Sequence, residues 1–242
     1  MTAATVKVEQ VSKSFGRKTV LSKVDLQMEE GQIYGLIGPS GAGKTTLVKM
    51  MVGMDLPDEG RIEVLRTAMP SLSMLQQIGY MAQSDALYTE LTAEENLKFF
   101  ASMFKMSRRE QKQRIAYAAE LVHLTEELGK KVAVYSGGMK RRLSLAIALI
   151  HDPAVLILDE PTVGIDPELR QSIWKELIRL KTSERKTIIV TTHVMDEASK
   201  CDQLAMVREG RILAEGTPEQ LRQQYDAADL EEVFLRAGGV TL

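Results

Sequence analysis

Hydrophobic and polar positions alternate with period two at the start of the chain. Val6, Val8 and Val11 begin the pattern, and Val24, Leu26 and Met28 resume it after a polar break at Gly16-Arg17-Lys18. Short period-two runs of this kind predict a strand pair with one wet face. Glu30-Gly31 turns the chain into an apolar run over 32–37, read as a third strand, and residues 46–52 have helical composition up to Gly53. Residues 57–60 (Pro-Asp-Glu-Gly) are a turn, 61–65 a short strand, 66–73 a loop, and 78–82 another short strand ending at Gln83.

From Leu91 the periodicity becomes helical. Thr92-x-x-Glu95 and Ser107-x-x-Glu110 are capping-box patterns, the first ahead of Leu97, Phe99 and Phe100, the second ahead of Ile115, Ala118, Ala119 and Val122. Gly129 is the expected C-cap of the second helix, and the charged run 108–114 reads as its solvated face. Ser136 caps a third helix with Leu143, Ile147 and Ile150 as its buried stripe, stopped by Asp152-Pro153. Strands and helices then alternate. Residues 155–158 suit a strand buried on both faces. Asp166-Pro167 starts a helix with Trp174, Leu177 and Ile178 inward. Another buried strand covers 187–191, a hairpin spans 204–214 about Glu209-Gly210, and two short helices start at Thr217 and Asp229. A helical block over about 84–135 thus interrupts an otherwise alternating α/β chain, as an inserted subdomain does.

Composition adds mostly exclusions. The chain has 242 residues, 44% hydrophobic and 26% charged, with a formal net charge of −2. That is enough for a sizeable core, with no basic field to hold nucleic acid. Cys201 is the one cysteine, so no internal disulfide forms, and a reducing compartment is expected. Residues 1–10 lack a signal pattern, and the densest apolar stretch, 143–150, is too short to cross a bilayer. A membrane role therefore requires a second chain.

The chemistry centres on Gly38-Pro39-Ser40-Gly41-Ala42-Gly43-Lys44-Thr45-Thr46, which fits the phosphate-loop pattern between a strand and a helix. Glycines let N–H groups wrap a phosphate, and the helix N-terminus adds partial positive charge. Lys44 is placed to reach the outer phosphates and Thr45 to put its hydroxyl on Mg²⁺. Ser136-Gly137-Gly138 opens a helix with two costly glycines, which suits close approach of a second anion; a plain serine cap is the alternative. Asp159 and Glu160 end a central strand, where open α/β sheets bind ligands. Asp159 is placed for Mg²⁺ and Glu160 for the attacking water. His193 falls just past another strand end. Phe15, in the first polar break, suits either stacking on a base or packing on the core.

In this order, the phosphate loop, Gln83, Ser136-Gly137-Gly138-Met139, the run 155–160, Gly164-Ile165-Asp166-Pro167 and His193 resemble the nucleotide-binding subunits of ATP-binding cassette (ABC) transporters. The resemblance spans essentially the whole chain. It implies a P-loop NTPase core with a mainly parallel sheet and an N-terminal antiparallel β subdomain (1–83 and 152–242). A helical subdomain over about 84–151 would carry the signature motif. It further implies ATP and Mg²⁺ as ligands, with Gly38 to Thr46 as Walker A, and Thr45, Gln83 and Asp159 on the metal. Glu160 would be the catalytic carboxylate, His193 the switch histidine on the γ-phosphate and Phe15 the adenine stack. Ser136, Gly137, Gly138 and Met139 would contact the partner subunit's ATP, with Gly164 and Asp166 at the dimer seam. Met139 stands where the family usually has glutamine, and Phe15 where tyrosine is more frequent.

The same resemblance implies partners. Two cassettes, as a homodimer or with a related chain, would sandwich two ATP, docked on a separate integral membrane permease at the cytoplasmic side of the membrane. Residues 135–167 and 230–235 are most similar to the ABC-2-type branch that exports drugs, lipids or polysaccharides. Two other functions compete: a soluble cassette ATPase acting on ribosomes or nucleic acid, which the charge balance disfavours, and a regulatory cassette that binds ATP without turning it over.

Overall fold

The structure, a computed structural model, describes residues 4–84 and 86–239. The chain divides into two compact units, Met1–Met74 with Thr187–Leu242, and Leu75–Lys186. Residues 1–3 of the N-terminal stretch read for a signal pattern lie outside the described residues.

The first unit opens with β1 (Ala4–Phe15), β2 (Lys18–Glu29), β3 (Ile33–Ile37), α1 (Lys44–Met51), β4 (Glu59–Val64) and β5 (Thr67–Ala68). β1 and β2 are the expected antiparallel pair, and Val6, Val8, Val11, Val24, Leu26 and Met28 are all buried. They belong to an antiparallel sheet ordered β2-β1-β4-β5. The segment expected to be a loop over 66–73 instead carries β5, because Glu63 and Val64 turn back to pair with Ala68 and Thr67. β3 is buried along its length, as its apolar run requires.

The second unit contains β6 (Ile78–Met81), α2 (Ala93–Ser102), α3 (Arg108–Leu121), α4 (Gly137–Leu149), β7 (Val155–Asp159) and α5 (Pro167–Glu184). Both capping boxes form: Thr92 and Ser107 accept from Glu95 and Glu110 main-chain N–H groups, and each glutamate accepts in return. α3 does not reach Gly129. It stops at Leu121, and His123 takes a left-handed φ of 53° two residues on. Residues 108–110, 112 and 113 are exposed, but Arg114 turns inward and donates to the carbonyls of Leu149 (2.6 Å) and Ile150 (3.2 Å). It thereby satisfies acceptors that the end of α4 leaves open. In α5, Trp174 and Leu177 are buried as expected, whereas Ile178 is 39% exposed.

The chain returns to the first unit with β8 (Thr187–Thr192), α6 (Met195–Ala198), β9 (Gln203–Arg208), β10 (Arg211–Gly216), α7 (Pro218–Gln224) and α8 (Leu230–Ala237). β3 pairs in parallel with both β8 and β9, and β9 forms the expected hairpin with β10. Glu209 and Gly210 both have positive φ, the geometry a two-residue hairpin turn needs. The fold is thus α/β, with one antiparallel sheet and parallel pairings about β3 and between β6 and β7.

His151, just past α4, gives the second unit a pH dependence. Its ring stacks on Phe104 (3.8 Å between centroids), Nε2 lies 3.2 Å from the Ile78 carbonyl, and Nδ1 is buried without a partner among the described residues. Burial pulls its pKa down to about 4, with Arg114 and Lys186 adding to the shift and the Ile78 carbonyl and Asp152 opposing it. The unfolded chain binds this proton more readily. The neutral ring's contribution is therefore complete above about pH 6.5 and is lost as pH falls toward 4. His151→Phe keeps the stack and removes the titration. Between pH 7.5 and 4.5 it should lose about 1–2 kcal/mol less stability than wild type, allowing for partial exposure. Urea midpoints at the two pH values measure this, and equal acid losses in both proteins would contradict it.

Candidate functional site

In the first unit the parallel register Ile37↔Thr192 brings the C-terminal ends of β3 and β8 side by side. Gly38 and His193 therefore leave the sheet at the same edge, the one where open α/β sheets bind ligands. His193 is exposed there. The bend that follows it is fixed by Thr192, whose hydroxyl accepts from Val194 N–H (3.0 Å) and donates to Glu197 (2.8 Å).

The loop after β3 is built around absent side chains. A Cβ on Gly38 would lie 2.1 Å from the Val207 carbonyl oxygen. One on Gly43, whose φ is 107°, would lie 2.7 Å from Leu21 Cδ2 and 2.8 Å from the Val20 carbonyl oxygen. Gly43 is also the N-cap of α1, with no side-chain cap. The first N–H groups of α1 therefore lie at a glycine backbone, with the helix's partial positive charge behind them. Lys44 is buried, and its ammonium donates to the Gly38 (2.6 Å) and Pro39 (3.1 Å) carbonyls. Pro39, Ser40 and Gly41 are exposed, Ala42 is buried, and Thr45 and Thr46 are half-buried in the first turn of α1. Phe15 ends β1 with 53% of its surface exposed and the Lys13 ammonium 5.4 Å from its ring centre. At that exposure Phe15 is not packed in the core.

The second unit repeats the edge arrangement. Register Met81↔Leu158 in the β6–β7 pair places Gln83, the final β7 residue Asp159 and Glu160 at adjacent strand ends. Gln83 Nε2 donates to Glu160 Oε2 at 3.3 Å. Asp159 is buried, and Glu160 takes a positive φ of 53°. An amide N–H on one carboxylate oxygen restrains the Glu160 side chain. Ser136 is the N-cap of α4, and its Oγ accepts from Met139 N–H at 3.2 Å. Ser136 and Gly137 are exposed, and a Cβ on Gly137 would meet nothing within 4 Å. One on Gly138 would lie 3.1 Å from the Gly164 carbonyl oxygen, so the glycine-rich cap and the Gly164 turn are neighbours. Asp166 caps α5 by accepting from Leu169 N–H at 2.9 Å.

Arg141 was not among the sequence candidates, yet it holds this second group together. Its guanidinium donates to the carbonyls of Ala82, Gln83, Asp159 and Glu160. Helical spacing carries the missed signal, since Arg141 lies four and eight residues before the buried Leu145 and Leu149. Among the described residues no cluster of three or more His, Cys, Asp or Glu could hold a metal alone.

The ABC transporter family model matches residues 21–163. The Nod factor export ATP-binding protein I of Rhizobium sp. (strain N33) is 42% identical over 237 residues, covering 97% of this chain and 78% of that protein. The protein of the same name from Burkholderia orbicola (strain AU 1054) is 40% identical with the same coverage. Among solved structures, an ATP-binding subunit of an ABC transporter superposes with TM-score 0.89 at 28% identity, covering 96% of this chain and 99% of that one. A dimeric ATP-binding cassette in a post-hydrolysis state with ADP and Pi has TM-score 0.81 at 26% identity, covering 88% and 98%.

The two loop glycines should respond differently to a methyl group. Gly43→Ala meets both an inaccessible φ and two close atoms, and should cost about 3 kcal/mol or more. Gly41→Ala has φ 81° but open space around it, and should cost about 1 kcal/mol. Urea unfolding of the two variants measures the difference, and equal costs would contradict the steric account.

Proposed function

This chain belongs to the ABC transporter family of ATP-binding proteins, and on that premise we propose that it is the ATPase subunit of an exporter, docked on a separate membrane permease. The observation that carries the nucleotide reading is the loop itself. Glycine is required on steric grounds at positions 38 and 43, at the start of a helix whose first residue is a buried lysine. The export direction rests on the Nod factor export relatives, and the peripheral placement accords with the absence, among the described residues, of a helix long and apolar enough to cross a membrane.

In this reading the main-chain N–H groups of residues 38–46 and the Lys44 ammonium bind the phosphates, and the Phe15 ring stacks on adenine. Mg²⁺, when bound, offsets charge on the outer phosphate oxygens, and Thr45, Asp159 and Gln83 would hold it. Glu160 accepts the proton of the attacking water, oriented by the Gln83 amide, and His193 contacts the γ-phosphate. Ser136, Gly137, Gly138 and Met139 complete the site of a second cassette, with Gly164 and Asp166 at the seam. The helical segment over about 84–151 brings this signature to the partner. ATP binding closes the dimer and hydrolysis reopens it, a population shift that a permease on the cytoplasmic face of the membrane converts into transport.

Glu160→Gln should bind ATP as wild type does, lose about 10²-fold or more in turnover, and elute as a dimer with ATP and Mg²⁺. A monomer under those conditions would sink the sandwich arrangement. Near-zero turnover by the wild-type chain, even with its permease, would instead support a regulatory cassette. Affinity capture from solubilised membranes should recover an integral membrane protein, and recovery of ribosomes would favour the soluble alternative.

A further inference from the structure

Arg141 joins three motifs that lie far apart in sequence. It sits in the second turn of α4, five residues after Ser136, with 7% of its surface exposed. Nη1 donates to the carbonyls of Ala82 (2.6 Å) and Gln83 (3.0 Å), and Nη2 donates to those of Glu160 (2.7 Å) and Asp159. These four carbonyls lie at and just past the ends of β6 and β7, beyond their last register pair, Met81↔Leu158. A planar guanidinium offers several donors in a fixed fork, which a point-charge ammonium does not.

The helix can reach both strand ends because it lies directly on β6. A Cβ on Gly79 would sit 2.2 Å from the Ala148 carbonyl oxygen, an approach only glycine permits. The arginine also secures an unfavourable conformation. Glu160 has φ 53°, and a non-glycine residue stays there only where its surroundings dictate it. Gln83 Nε2 meets Glu160 Oε2 at 3.3 Å only while the two strand ends keep their spacing, and one guanidinium spans both.

We propose that Arg141 is a positioning residue for hydrolysis. It ties the backbone of the catalytic glutamate and of Gln83 to the helix that begins with the signature serine, so that a displacement of that helix end is passed to both side chains. This rests on the assignment of Glu160 as the water-activating carboxylate.

The full chain carrying Arg141→Lys or Arg141→Gln tests it, beside Glu160→Gln. Lysine keeps a buried cation but cannot serve four carbonyls in one plane. The Arg141→Lys chain should stay folded by urea titration and hold KM for ATP and the affinity for a fluorescent ATP analogue within about threefold, while kcat falls about 10–100-fold. Adding Arg141→Lys to Glu160→Gln should lower the residual rate no further, because both act on one group. Wild-type kcat in a folded Arg141→Lys or Arg141→Gln chain would overturn the proposal. So would losses that add to those of Glu160→Gln, or a kcat loss matched by an equal loss of folded protein. If Glu160→Gln itself hydrolyses ATP at the wild-type rate, the glutamate assignment fails and the proposal with it. A dead Glu160→Gln beside fully active Arg141 variants fails the proposal alone.

Discussion

A backbone that binds phosphate must keep side chains out of its own way, and in this chain that steric requirement orders the first unit. Gly38 is pressed against the Val207 carbonyl of β9, and Gly43 against Val20 and Leu21 of β2. The loop is therefore gripped from two strands that lie far from it in sequence. Its left-handed turns are held by neighbours rather than by the loop's own contacts. The apolar β3, buried along its whole length and paired on both sides, supplies the rigid base. Lys44 reinforces the arrangement by donating to carbonyls at the loop's own start, which helps hold the main-chain N–H groups for a ligand.

The second unit meets a related problem with a charged side chain. Where β6 and β7 run out, four carbonyls from the two strand ends converge on one guanidinium. Burying a cation is costly unless it is well hydrogen-bonded, and Arg141 is, through both ends of its fork. The fold accepts that cost at the point where Asp159, Glu160 and Gln83 leave the strands. Placing the donor on α4, rather than on a loop, makes the position of these groups depend on a helix. That helix is also the one that carries the glycine-rich cap.

Local rules made much of this legible in the sequence. Capping boxes at Thr92 and Ser107, the caps at Ser136 and Asp166, and the hairpin turn at Glu209-Gly210 each depend on a few adjacent residues, and each forms as read. The strands before the phosphate loop and before Asp159 are continuous apolar runs and fall where the pattern puts them. What was not legible depends on distant partners. α3 ends before Gly129 because His123 takes the left-handed turn first. β5 exists only because Val64 and Glu63 lie opposite it. Arg114 reads as part of a solvated helix face and Arg141 is not among the sequence candidates, yet each serves carbonyls contributed by other segments. Long side chains with several donors are the residues for which periodicity alone misjudges burial.

The departure at Met139 can be weighed in the same terms. A glutamine there would add a side-chain donor, which methionine lacks. The first-turn N–H groups of Gly137 and Gly138 have no acceptor within their own helix. Met139 N–H is already taken by Ser136 Oγ, which fixes the start of α4. With Gly137 exposed and open on its outer face, an anion approaching this cap meets main-chain donors, a serine hydroxyl and the helix's partial positive charge. None of these depends on the residue at 139. Methionine at 139 therefore leaves the principal electrostatics of the cap in place, and the burden of anion recognition there rests on the backbone, as it does in the glycine loop of the first unit.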